Sequence, residues 1–109
     1  MNNQTFERYV KQAVDGLPPE FKKALKNIDI VIEDHCDAQP LLGLYEGIPL
    51  PERQIGDSVV PDKITIYRGE ILSLGLVGKE LVEEIRITVL HEVGHYFGLE
   101  DDEMTGLGY

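Results

Sequence analysis

TVLHEVGHYFGLED, residues 88–101, decides how the rest of the chain is read. It holds two of the three histidines, four residues apart, inside an apolar run. Residues i and i+4 share one helical face, one turn apart, so His91 and His95 can aim their rings at a common point. Zinc takes neutral imidazole nitrogen at about 2.0–2.1 Å and favours a tetrahedron. Two histidines one turn apart supply two of its corners. Glu92 lies about 100° further round the helix. From there it can reach a water on the metal without being a ligand itself. This is the H-E-x-x-H arrangement, in which the metal acidifies a water and the glutamate takes its proton.

Both glycines of the stretch fit that reading. Gly94 sits inside the helix, where glycine costs about 1 kcal/mol against alanine. Such a local breach marks close packing or a site. Gly98 can take the left-handed conformation that ends a helix, turning the chain back toward the metal. Asp101 then offers an oxygen for the third corner, with water in the fourth; Glu100 and Asp102 are neighbours able to substitute for it. The competing reading, two hydrogen-bonded core histidines, does not account for the length of the match, HEVGHYFGLED.

Working upstream, residues 79–97 read as one helix. Leu81, Val82, Ile85 and Val89 form an apolar stripe, while Lys79, Glu80, Glu83 and Arg86 are polar. From Ile87 onward the sequence is apolar nearly all round, as in a helix buried on most sides. KITIYRGEI (63–71), DIVIE (29–33) and LLGLYEG (41–47) read as strands. Gly43 and Gly47 suggest close backbone approach or an irregular edge. The intervening PLPERQIGDSVVPD (49–62) is a long loop, of the kind that is functional or mobile in so small a domain. At the start, Thr5 can cap a helix running to Asp15, with Phe6, Val10, Ala13, Val14 and Leu17 on one side. Gly16 and the pair Pro18–Pro19 stop it. PEFKKALKN (19–27) makes a second short helix, with Phe21 and Leu25 one turn apart. With 109 residues, residues 1–109 are expected to form one domain.

Lys and Arg number 10 against 20 Asp and Glu, a formal net charge of -10. That balance argues against nucleic-acid backbones and anionic membranes as partners. Cys36 is the sole cysteine, so no internal disulfide forms, which favours a reducing compartment. MNNQTFERYVKQ lacks the apolar core of a signal peptide, and no apolar run approaches a membrane span. The expectation is a cytoplasmic protein with no membrane partner.

Other constellations are weaker. Asp34-His35-Cys36-Asp37 has four candidate ligands, but adjacent loop residues rarely face one point, and a solvated turn is expected. No spacing directs the Cys36 thiolate to the metal. Tyr96 shares the stripe of Ile85 and Val89 and reads as core; Tyr45 and Tyr67 are freer as oxyanion donors. Arg53 and Arg68 are candidates for a substrate carboxylate or for plain surface.

HEVGHYFGLED resembles the H-E-x-x-H-x-x-G-x-x-(H/D) signature of the metzincin-like zincins. Together with LLGLYEGIPLPER, VPDKITIYRGEI and ITVLHEVGHYFGLEDDEM, it resembles the small bacterial single-domain zincin-like metallopeptidases, or minimal zincins. The likeness covers most of the chain after Asp29. It implies an α+β fold, a small mixed sheet packed on the active-site helix, with zinc on His91, His95 and Asp101 and Glu92 as general base. Larger zincins hold an extended substrate against a sheet edge; by analogy either LLGLYEG or KITIYRG supplies that edge here. Metzincins also carry a methionine turn beneath the zinc, a place Met104 can take, though its spacing is short; the alternative is ordinary packing. The function implied is zinc-dependent hydrolysis of a peptide or protein substrate. The rival is a zinc-stabilised binding or regulatory module without activity. Glu92 separates the two, because a structural site needs no glutamate there.

Overall fold

The sheet is built round a strand that water scarcely touches. The computed structural model describes residues 1–52 and 62–108. It runs α1 (Asn3–Asp15), α2 (Pro19–Ala24), a 3-10 turn (Leu25–Asn27), β1 (Ile28–Glu33), β2 (Gly43–Glu46), a second 3-10 turn (Leu50–Glu52), β3 (Asp62–Tyr67), α3 (Arg68–Leu72), α4 (Gly78–Tyr96) and α5 (Asp101–Gly106). β3 is buried at every residue except Lys63, which fits its place in the middle of the order β1-β3-β2. β1 pairs with it in parallel, from Ile28↔Asp62 to Glu33↔Tyr67. β2 pairs antiparallel, from Gly43↔Ile66 to Glu46↔Lys63. The fold is therefore α+β with a small mixed sheet. Of the two strands that could offer a free edge beside the histidines, KITIYRG is central and LLGLYEG is the edge.

The phase of the β2–β3 ladder fixes what that edge presents. Tyr67 N–H donates to the Leu42 carbonyl at 2.9 Å. Bonded and non-bonded pairs alternate along an antiparallel ladder, so Leu44↔Thr65 is the next bonded pair. Gly43 and Tyr45 then turn their N–H and C=O groups away from β3, toward the open side.

The core joins sheet to helices. Ile64, Ile66, Ile71, Ile85, Val89 and Phe6 are fully buried within one apolar cluster. α4 packs against α1, against β2 and β3, and against α3, so the 19-residue helix is covered on most sides, as its all-round apolar second half requires. Tyr96 is part of this core; its hydroxyl donates to the Ala24 carbonyl at 3.2 Å.

Two local readings change, and one element is added. The cap of α1 is Asn2, whose side chain accepts the Thr5 N–H at 2.8 Å, so Thr5 lies one turn inside. Residues 68–71 do not continue the third strand but form α3. A Cβ on Gly69 would stand 2.5 Å from the Asp34 carbonyl oxygen, and the helical turn there swings Ile71 fully into the core. After Gly98, where the sequence reading assigns no element, the chain forms α5. Most of the long loop, with Arg53, lies outside the described residues. No helix among the described residues is long and apolar enough to cross a membrane.

Candidate metal centre

α4 brings His91 and His95 to one point as their spacing dictates. The ring centroids stand 4.8 Å apart and nearly perpendicular, at 83°. The turn at the end of the helix completes the group. Gly98, at φ 86°, closes α4: its N–H donates to the His95 carbonyl at 3.0 Å and Leu99 N–H to the Gly94 carbonyl at 2.9 Å. This is the paired Schellman ending, which needs a left-handed residue at that place. The chain reverses, and Glu100 caps α5 by accepting the Glu103 backbone N–H while the Glu103 carboxylate takes the Glu100 N–H. Asp101, the first residue of α5, is thereby delivered beside the histidines.

Asp101 Oδ1 lies 3.3 Å from His91 Nε2 and 3.3 Å from His95 Nε2. That separation exceeds the usual N–H···O range of 2.7–3.2 Å. It matches the edge of a zinc tetrahedron: ligands at about 2.0–2.1 Å from the ion stand about 3.3–3.4 Å from one another. The donor set, two imidazoles and a carboxylate, suits zinc, and the residues present fit the ion. His91, Glu92 and His95 also place candidate ligand atoms within 4.8 Å of one another, so Glu92 competes with Asp101 for third place. Geometry favours Asp101. Its oxygen is nearer to both rings and its side chain is largely exposed, whereas Glu92 is 6% exposed and already accepts the Tyr45 backbone N–H. Glu100 is used as a cap, and Asp102 is an exposed residue one step further along α5.

Burial pushes the Glu92 carboxyl above the usual carboxylate range, while His95, His91 and the Tyr45 N–H pull it back. Its carboxylate lies against β2: a Cβ on Gly43 would stand 3.0 Å from Glu92 Cγ, 3.1 Å from Thr88 Cγ2 and 3.3 Å from Glu92 Oε2. Gly43 thus lets an edge strand run close over the helix, the close approach its residue type suggested. The centre opens into a cleft of about 450 Å³ bounded by β2, the Leu50–Glu52 turn and the start of α5. Pro51 packs on Gly98, where a Cβ would stand 2.6 Å from its Cγ. Glu52 and Glu100 line the cleft, with no Lys or Arg among its described lining.

Residues assigned elsewhere stay away. Met104 is fully buried, but in helix α5 rather than on a turn, and it fills the notch left by Gly94. Its service to the site is to seat α5. The Asp34–Asp37 stretch is mostly exposed and makes no metal cluster among the described residues. His35 Nδ1 meets Glu70 Oε1 at 3.1 Å, Asp34 meets Arg68, and Cys36 meets the Tyr67 hydroxyl. Arg68 and Cys36 therefore do not face the cleft. Sequence reasoning missed the Tyr45 backbone N–H, which no residue type announces, and the capping pair Glu100–Glu103, in which a glutamate takes the cap position that the usual signature gives to Ser, Thr, Asp or Asn.

Comparison with known proteins agrees with this architecture. The family described as zincin-like metallopeptidase matches residues 25–109, and the chain belongs to that family. No curated protein matches it. Among solved structures it is similar to one described as a conserved hypothetical protein from Thermo thermophilus, with a TM-score of 0.62 and 23% identity over 89% of this chain and 94% of that one. At that identity the likeness concerns the fold.

Proposed function

We propose that the chain is a zinc-dependent peptidase in which His91, His95 and Asp101 hold the ion and Glu92 is the general base. The observation that carries the reading is the convergence of His91 Nε2 and His95 Nε2 on one Asp101 oxygen at tetrahedral spacing. Zinc held by that set would supply Lewis acidity, acidifying a water and polarising a carbonyl. Glu92 is a carboxylate beside that point but outside the ligand set. It takes the proton of the attacking water on a carboxylate oxygen and passes it to the nitrogen of the leaving amine. The outward peptide groups of β2 offer a strand edge along which an extended peptide can lie. The substrate proposed is accordingly a peptide or an exposed protein segment, met in the cytoplasm.

A buried carboxylate that binds no metal has no purpose in a purely structural centre, and this favours the enzyme over a zinc-stabilised module. The test pairs metal content with cleavage. Protein purified without added metal is assayed for zinc by native mass spectrometry, then for hydrolysis of a mixed peptide library, alongside Glu92→Gln. Zinc in both proteins and cleavage by the parent alone is the expected result. A chain that stays metal-free in excess zinc ends the proposal. Tight zinc binding with no cleavage across the library transfers support to the module.

A further inference from the structure

We propose that Gly43 is a positioning residue for Glu92: its missing side chain lets β2 sit on α4, so that the Tyr45 backbone N–H holds the Glu92 carboxylate. Three observations meet here. The ladder phase set by the Tyr67–Leu42 bond aims the Tyr45 N–H away from β3. That N–H bonds the Glu92 carboxylate. At this height the strand leaves no room for a side chain above two residues at once, since a Cβ at Gly43 would meet Glu92 Cγ at 3.0 Å and Thr88 Cγ2 at 3.1 Å.

Residues 88 and 92 are successive turns of one helical face. A methyl at position 43 therefore cannot escape one by sliding toward the other. Thr88 is branched at Cβ and has little rotamer freedom in a helix. The strand must lift by a few tenths of an ångström, and the N–H···O bond from Tyr45 lengthens with it. A hydrogen bond to an ionised carboxylate is roughly twice as strong as a neutral one, so its loss frees the carboxylate to turn. Edge and base thus form one unit, and one of the outward N–H groups of β2 is already committed before any substrate strand arrives. The catalytic consequence rests on the function proposed above; the hydrogen bond and its seat do not.

The experiment reads both. In the zinc-loaded, ¹⁵N-labelled chain, the Tyr45 amide proton should lie downfield and exchange slowly. Glu92→Gln should move it upfield, because a neutral acceptor replaces a charged one. Gly43→Ala should move it the same way and lower kcat about tenfold at unchanged KM, the size expected for a small misplacement of a reacting group. Gly43→Ala combined with Thr88→Ser, which removes the second contact, should recover part of both the shift and kcat. A Tyr45 resonance that ignores Glu92→Gln overturns the hydrogen bond, whether or not Gly43→Ala folds. Equal amide shifts and equal kcat in the single and double variants overturn the seat. A parent that cleaves nothing sinks the peptidase reading alone, since the amide shifts still decide the arrangement.

Discussion

At the scale of single residues, the proposed roles of ligand, base and neighbour can be told apart. Asp101→Ala should weaken zinc affinity by at least tenfold. Asp102→Ala should do little, and Glu100→Ala should fall between them, because it removes the cap that seats Asp101 at a cost of about 1 kcal/mol. Competition titration against a chromophoric chelator orders the three, and equal effects would place the third ligand elsewhere. Glu92→Gln should keep zinc and the fold while cleavage drops by about 10²–10⁴-fold, the usual worth of a general base. That His91, Glu92 and His95 come together was legible in the sequence because helical spacing sets it, and that Asp101 returns beside the histidines because Gly98 reads as the turn that ends the helix. The Tyr45 N–H was not, since every residue but proline carries that group and only the ladder phase aims it. Tyr67 makes a separate prediction. Burial first, and then its bond to Cys36, push its phenol up to about 12. Its contribution to stability is whole below pH 10 and is lost as pH rises through about 12. In an alkaline absorbance titration one of the five tyrosines should ionise after the others, and Tyr67→Phe should remove that late step.

At the scale of elements, α4 was legible almost to the residue, because a stripe that widens into all-round apolarity has one physical outcome. α3 was not. KITIYRGEI keeps an apolar residue where either a strand or a helix would bury it, and the passage of Gly69 against Asp34 decides between them. α5 escaped because its six residues open on three acids and carry no apolar period; only Met104 is buried, and its partner is a notch in another helix. That notch gives a test. Gly94→Ala places a methyl on Met104 Sδ, so α5 must shift and Asp101 with it. Gly94→Ala should lower both thermal stability and zinc affinity, although alanine is the better helix former by about 1 kcal/mol. Pairing it with Met104→Ala should restore much of the affinity. If Gly94→Ala raises stability, propensity outweighs packing and α5 is not seated there.

At the scale of the whole molecule, metal and fold should be linked. A ligand that binds only the native state adds about 2.7 kcal/mol at a hundred times its Kd. In a domain of about this length that raises Tm by about 10 °C or more. Zinc should produce that rise in the parent and in Glu92→Gln, and a chelator should reverse it. His91→Ala should show no rise. Scanning calorimetry with and without zinc checks all three, and a rise of equal size in His91→Ala would locate the metal away from α4.

The Schellman turn at Gly98 also bears on the order of events in folding. On the proposed ligand set it confines all three donors to residues 91–101, so capturing the ion closes a short loop and little chain entropy is lost. The parallel ladder is different. Its register joins Ile28 to Asp62, a long closure that depends on distant parts of the chain meeting, and such contacts form slowly. The ion can therefore be gripped by a nascent hairpin of α4 and α5 while the sheet is still open. In stopped-flow refolding with cobalt in place of zinc, the visible absorption of the ligated metal should appear before the near-ultraviolet signal of the buried tyrosines. Early metal would then act as a nucleus, and its presence should speed refolding while leaving the unfolding rate nearly unchanged.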